Sequence, residues 1–124
     1  MPVKSRSDLI RSYFAAYQAS DRSVIEAVLT DDFTFTSPYD DAIDRATYFA
    51  RCWPNSTLFK SIAVERICED GNDAFVLYRC ETLDGKVFRN TELHSFQDGR
   101  LRSVEVYFGV TYKDGVFVTQ QPLS

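Results

Sequence analysis

Histidine is nearly absent from this chain. His94 is the only one in 124 residues, and with carboxylates scattered around it there is no clustered donor set of the kind a transition metal requires, so no metal site is expected. Cysteine is sparse too. Cys52, Cys68 and Cys80, spaced by 16 and 12 positions, match neither a paired disulfide framework nor a zinc pattern and read as reduced core or interface thiols. The five glycines stand singly, as in "EDGND" and "QDGR", and never form a glycine-rich loop that could cradle phosphate. Net positive charge is lacking: the formal charge is −4 and the arginines are dispersed among acids, which argues against nucleic acid as a partner. Long apolar runs are missing as well, since nothing approaches the roughly 20 residues of a membrane span. The start, "MPVKSRSDLIRSYF", turns amphipathic without the apolar core of a signal peptide. A cytoplasmic protein without a membrane partner is the expectation.

What is present is apolar and aromatic bulk, 44% hydrophobic and 15% aromatic, enough for the core of one domain and for the lining of a cavity besides. Leu9, Ile10, Tyr13, Phe14 and Tyr17 recur at helical spacing behind Ser5 or Ser7, which predicts a helix over about 6 to 19. A short second helix carries Val24, Ile25, Val28 and Leu29, begun either by Asp21 or by a capping box from Ser23 to Glu26. "TDDFTFTSP" alternates as a strand with Phe33, Phe35 and Ser37 on one face, ended by Pro38. The loop "SPYDDAID" follows, and Asp44 caps a third helix bearing Phe49, Cys52 and Trp53 that stops at Pro54.

From Leu58 onward turn signals arrive every ten to fifteen residues, at "EDGND", "LDGK", "QDGR" and "KDGV". They divide the rest into strands at about 58–68, 74–82, 87–96, 101–112 and 116–119. Helices first and an antiparallel meander after make the fold class α+β. If "LDGK" closes a two-residue hairpin, Arg79 faces Asn90, Leu77 faces Glu92 and Phe75 faces His94. One face then holds Phe75, Leu77, Arg79 and Glu81 with Phe88, Asn90, Glu92, His94 and Phe96. The other holds Val76, Tyr78, Cys80, Val87, Thr91 and Leu93, apolar enough to bury against a second copy of the chain. Periodicity alone leaves the first face open between a pocket wall and a solvated surface.

The ordered patterns "YFAAYQASDRSVIEAVLTDDFTFTSP", "VERICEDGNDAFVLYRCE" and "TELHSFQDGRLRSVEVYFG" resemble the nuclear transport factor 2-like, or ketosteroid isomerase-like, superfamily, and most of all its SnoaL-like branch. The resemblance spans residues 8 to 109. It implies a cone-shaped half-barrel, a curved, mostly antiparallel sheet wrapped around the N-terminal helices and open at one end to a hydrophobic pocket. It turns Asn90, Glu92 and His94 inward and implies a homodimer through the outer sheet face. Compared with the steroid isomerases of that superfamily, Tyr13 stands at the oxyanion-hole tyrosine, 18 positions before Asp31. Glu92 stands at their protonated aspartate, four before Phe96. Their general base, the aspartate of a "DP" pair, is replaced by Ser37 before Pro38, and a neutral serine cannot abstract a proton beside a carbonyl.

Glu92 and His94, about 6.5 to 7 Å apart along the strand at roughly 3.3 Å per residue, are therefore candidate proton-transfer groups, with Tyr13 and, in the loop after the first strand, Asp40 beside them. The bland alternative pairs Glu92 with Arg79 and leaves His94 a satisfied histidine near the rim. Tyr17, Phe33, Phe35, Ser37, Trp53, Arg79, Asn90 and Phe108 are the expected ligand-binding residues. The expected partner is a small apolar or aromatic molecule, and the expected chemistry is cofactor-free isomerisation, cyclisation or dehydration, or else binding alone.

Overall fold

The computed structural model describes residues 5–119. Helix α1, Arg6–Gln18, starts where Ser5 accepts a hydrogen bond from the Asp8 amide at 3.1 Å, and its apolar stripe buries Ile10, Tyr13, Phe14 and Ala16. Helix α2, Arg22–Val28, begins after Asp21, whose carboxylate takes the Ser23 hydroxyl rather than a backbone amide. Ser23 lies inside the helix, and Glu26 pairs with Arg22 at 2.9 Å, so no capping box forms. Strand β1, Leu29–Ser37, buries Phe33 and turns at Pro38 and Tyr39 into strand β2, Asp40–Asp44. The expected loop is thus an edge strand. Three of its five residues are aspartates, which have low strand propensity and suit a short, exposed edge.

Helix α3, Arg45–Arg51, is capped by Asp44, which accepts from the Thr47 amide at 2.8 Å. That hydrogen bond holds the Asp44 carboxyl below the usual carboxylate range. Trp53 does not extend α3 but opens a 3-10 turn, Trp53–Leu58, with Pro54 in its first positions, where a missing N–H costs nothing. Four long strands and a short one follow: β3 Phe59–Asp70, β4 Asp73–Thr82, β5 Lys86–Gln97, β6 Arg100–Lys113 and β7 Val116–Val118. Sheet order is β2-β1-β6-β5-β4-β3, antiparallel except for the parallel β1–β6 pair, with β7 on β6 beyond β1. Six bulges or register shifts in four strand pairings, among them Phe88/Asn90 and Val64/Arg66, bend the sheet. It curls, unclosed, around α1 and α3. No helix among the described residues is long and apolar enough to cross a membrane.

The β4–β5 register differs from the two-residue expectation. Leu83, Asp84 and Gly85 all belong to the loop, Gly85 takes φ +88° and its amide bonds the Thr82 carbonyl at 3.1 Å, as in a three-residue turn with a left-handed third position. Tyr78 therefore faces Asn90, Val76 faces Glu92 and Ala74 faces His94. One residue of slip exchanges the two faces of β4. Val76, Tyr78 and Cys80 point inward and are buried, whereas Phe75, Leu77, Arg79 and Glu81 lie on the outer face. The inward set on β5, Phe88 to Phe96, is as expected.

Gly109 lies in the Phe88/Asn90 bulge, and a Cβ there would sit 2.2 Å from the Arg89 carbonyl oxygen. Gly109→Ala should push β6 away from β5 and cost about 1–3 kcal/mol, the usual scale of overpacking. Urea unfolding checks this, with the midpoint expected to fall at unchanged slope.

Candidate functional site

The concave side encloses a mostly apolar cavity of about 150 Å³. Helix α1 contributes Tyr13, Phe14 and Tyr17, α3 contributes Tyr48 and its C-cap Cys52, and β1 and β2 contribute Phe35, Ser37 and Asp40. From β4 come Tyr78 and Cys80, from β5 Phe88, Asn90 and Glu92, and from β6 Val106, Phe108 and Thr111. The open end lies at the tips of the β4–β5 and β1–β2 hairpins, marked by Thr82, Lys86 and Tyr39.

On the sheet wall a chain of hydrogen bonds ends at a buried carboxylate. The Gly109 amide donates to Asn90 Oδ1 at 3.3 Å, Asn90 Nδ2 to Tyr78 Oη at 3.2 Å, and Tyr78 Oη to Glu92 Oε2 at 2.5 Å. His94 Nε2 lies 2.8 Å from Glu92 Oε1. Glu92 is 5% exposed and His94 0%. The imidazole is set behind the cavity wall, edge-on to Tyr13 at 5.6 Å and stacked on Phe14 at 5.9 Å.

On the helix wall the Tyr13 and Tyr48 hydroxyls bond each other at 3.0 Å, and Tyr17 donates to the Cys52 carbonyl at 3.2 Å. Burial raises Tyr13, Tyr17, Tyr48 and Tyr78 well above their ordinary pKa, and the Glu92 charge adds to this at each. They are neutral hydroxyls throughout the physiological range. At the rim Asp40 takes an ion pair from Arg51 at 2.8 Å and the Ser37 hydroxyl at 2.9 Å.

Of the residues singled out from sequence, Tyr13, Tyr17, Phe35, Ser37, Asp40, Asn90, Glu92 and Phe108 line the cavity. His94 reaches it only through Glu92. Phe33 is fully buried against Tyr48, and Trp53 packs on Tyr17 and Phe49, so neither faces the cavity. Arg79 is a correction: it stands on the outer face between Ala63 and Arg89, near Glu65, and cannot pair with Glu92. Tyr78 takes the place given to Arg79. A three-residue reading of "LDGK" would have found it, and the helical spacing from Tyr48 to Cys52 would have found Tyr48.

A family model for the SnoaL-like domain matches residues 10–104. The chain belongs to the SnoaL-like family. Among solved structures, this SnoaL-like chain is similar to a nuclear transport factor 2-like protein of unknown function from Cytophaga hutchinsonii, with a TM-score of 0.71 at 23% identity over 88% of this chain and 95% of that one. It is similar to an LEH-like epoxide hydrolase of M. tuberculosis, with a TM-score of 0.67 at 19% identity over 82% and 80% of the two chains. A Sinorhizobium meliloti protein proposed to be a polyketide cyclase gives 0.66 at 18% over 80% and 93%. At these identities the likeness is one of fold. No curated protein matches the chain.

Burial pushes the Cys52 thiol up to about 12, with the Asp40 charge adding to it, and raises Cys80 further, whereas Cys68 is exposed. The nucleophile is the thiolate. Iodoacetamide at mildly alkaline pH should therefore label Cys68 quickly and leave Cys52 and Cys80 unmodified on the same timescale, as peptide mass spectrometry would show.

Proposed function

We propose that this SnoaL-like protein binds a small, mostly apolar carbonyl compound in the cavity and catalyses a cofactor-independent proton transfer on it through Glu92. The observation that carries this reading is Glu92 itself, a carboxyl group 5% exposed in an apolar cavity wall. No lysine or arginine pairs with it among the described residues. A buried carboxyl held by neutral donors rather than by a cation is expensive for stability and suited to exchanging protons. Opposite it, the Tyr13–Tyr48 pair uses one hydroxyl proton in its mutual bond, which leaves the other to hold a carbonyl oxygen.

Asp40 lines the same cavity beside Ser37, but its carboxylate is already engaged by Arg51 and by the Ser37 hydroxyl. Isomerisation in the manner of the steroid isomerases is disfavoured by Ser37, whose hydroxyl is a neutral donor to Asp40. The alternative reading is a binding or dimerisation module of the same fold, favoured by the outer face. There Leu77 and Leu93 accompany Phe75 and Tyr107, which are 44% and 55% exposed. Such a face fits a second copy of the chain.

Exchange of the protons beside the carbonyl of cyclohexanone, 2-cyclohexenone and acetophenone into deuterated water, followed by NMR, tests the catalytic reading. Glu92→Gln should lower an enzyme-dependent rate by at least about 100-fold and Tyr13→Phe by about 10-fold, within the range for acid–base and oxyanion groups. Undiminished exchange in Glu92→Gln sinks it. Phe75→Glu with Tyr107→Glu should yield a monomer in analytical ultracentrifugation where the unaltered chain sediments as a dimer; an unaltered chain that is already monomeric refutes the pairing.

A further inference from the structure

The hydrogen bonds around Glu92 have a direction, and it decides which way the proton moves. A backbone N–H only donates, so the Gly109 amide on Asn90 Oδ1 fixes the orientation of the Asn90 side chain. Asn90 Nδ2 has two hydrogens and no accepting lone pair, so it donates to Tyr78 Oη. Tyr78 has one proton, and among the described residues its hydroxyl has one acceptor, Glu92 Oε2 at 2.5 Å. That distance belongs to the range of an O–H donor on a charged oxygen, about 2.5–2.7 Å. Oε2 is therefore an acceptor.

The other oxygen faces His94 Nε2 at 2.8 Å, and the far side of the ring decides the proton there. His94 Nδ1 is buried with no hydrogen-bond partner among the described residues. A proton on Nδ1, in the other tautomer or in the imidazolium, would be a buried donor without an acceptor, which costs more than an idle lone pair. The groups packed around this pair add no competing acceptor for Nδ1. Tyr13 comes from α1, Tyr48 from α3, and Tyr78 and Cys80 from β4, each feeling the Glu92 charge. Arg100 borders the small void behind the ring and gives its guanidinium to the Leu29 carbonyl at 3.4 Å.

We propose that Glu92 stands in the cavity as a carboxylate base, aimed by two neutral donors, Tyr78 and the Nε2–H tautomer of His94, which makes His94 a positioning residue. This rests on the assignment of Glu92 as the proton-transfer group and narrows the substrate to a compound that must first give up a proton. For a ketone, the C–H bond beside the carbonyl breaks and its proton passes to Glu92. The electron pair moves into the enolate, whose oxygen takes the free hydroxyl proton of the Tyr13–Tyr48 pair as a hydrogen bond. Return of the proton to the same carbon gives exchange, and to a conjugated carbon gives isomerisation. No oxidant or second reactant is needed. The carboxylate has about four acceptor positions, so the two fixed donors leave room for the incoming proton.

Because His94 is the only histidine, a long-range proton–nitrogen correlation spectrum of the intact chain reports on it alone. The expected result is one protonated nitrogen, Nε2, and an unprotonated Nδ1 at neutral pH. Infrared difference spectra of the unaltered chain against Glu92→Gln should show a carboxylate at neutral pH. An Nδ1–H tautomer, an imidazolium or a carboxylic acid band each overturns the inference, and none of them touches the part of Glu92 in turnover. In the cyclohexanone exchange assay, His94→Leu removes one donor and should raise the midpoint of the pH–rate profile by about one unit, a tenfold change in the proton affinity of the base. His94→Gln, which keeps an N–H donor, should restore it, and an unmoved midpoint in His94→Leu overturns the positioning role. Unchanged exchange in Glu92→Gln alongside a carboxylate spectrum would instead sink the catalytic reading and leave the bond directions standing.

Discussion

Gly85, at φ +88°, lets the chain reverse between Thr82 and Lys86 in three residues, and the content of the cavity follows from that turn. The Thr82 side chain reinforces it, accepting the Lys86 amide at 3.0 Å and giving its own proton to Asp84. With the register so placed, Tyr78 stands across from Asn90 and two pairs from Glu92 on the same face, within reach of both. A two-residue loop would put Leu77 and Arg79 at the wall and Tyr78 in solvent. The buried polar chain exists because two strands meet at one register and no other.

That chain also explains how an apolar interior tolerates a carboxylate. Taking an ionised group out of water is costly unless hydrogen bonds replace the lost hydration, and Glu92 receives one on each oxygen. The donors are rigid, since Tyr78 is held by Asn90 and Asn90 by the backbone of the β6 bulge at Gly109. Bulge, sheet curvature and site are thus one piece of construction. The bulge that bends β6 around the helices also presents the amide that orients Asn90. The aromatic side chains of α1 and α3 close the opposite wall and keep its tyrosine hydroxyls neutral.

The legible parts of the fold were those with local causes. Ser5 and Asp44 behave as caps because a short side-chain oxygen before a helix finds its amides within three residues. The "DG" pairs at 98–99 and 114–115 turn with both residues at positive φ, as two-residue hairpins require. Strand β2 was not legible, because three aspartates in five residues resemble a loop and pair only because β1 offers a free edge. Trp53 kept the helical spacing of α3, yet Pro54 diverted it into the next turn.

That Asn90, Glu92 and His94 share one side of β5 was determined by the sequence, since alternation is a property of a single strand. So was the absence of a base at Ser37. Which residues of β4 join that set was decided by tertiary structure alone, because "LDGK" is compatible with loops of two or three residues and the choice depends on packing of both strands against α1. Tertiary structure likewise moved Arg79 outside, brought Tyr48 to Tyr13 from 35 positions away, and set His94 behind Glu92 rather than beside it in the cavity. Contacts between distant segments have no local signature, and the chemistry of this wall is made of such contacts.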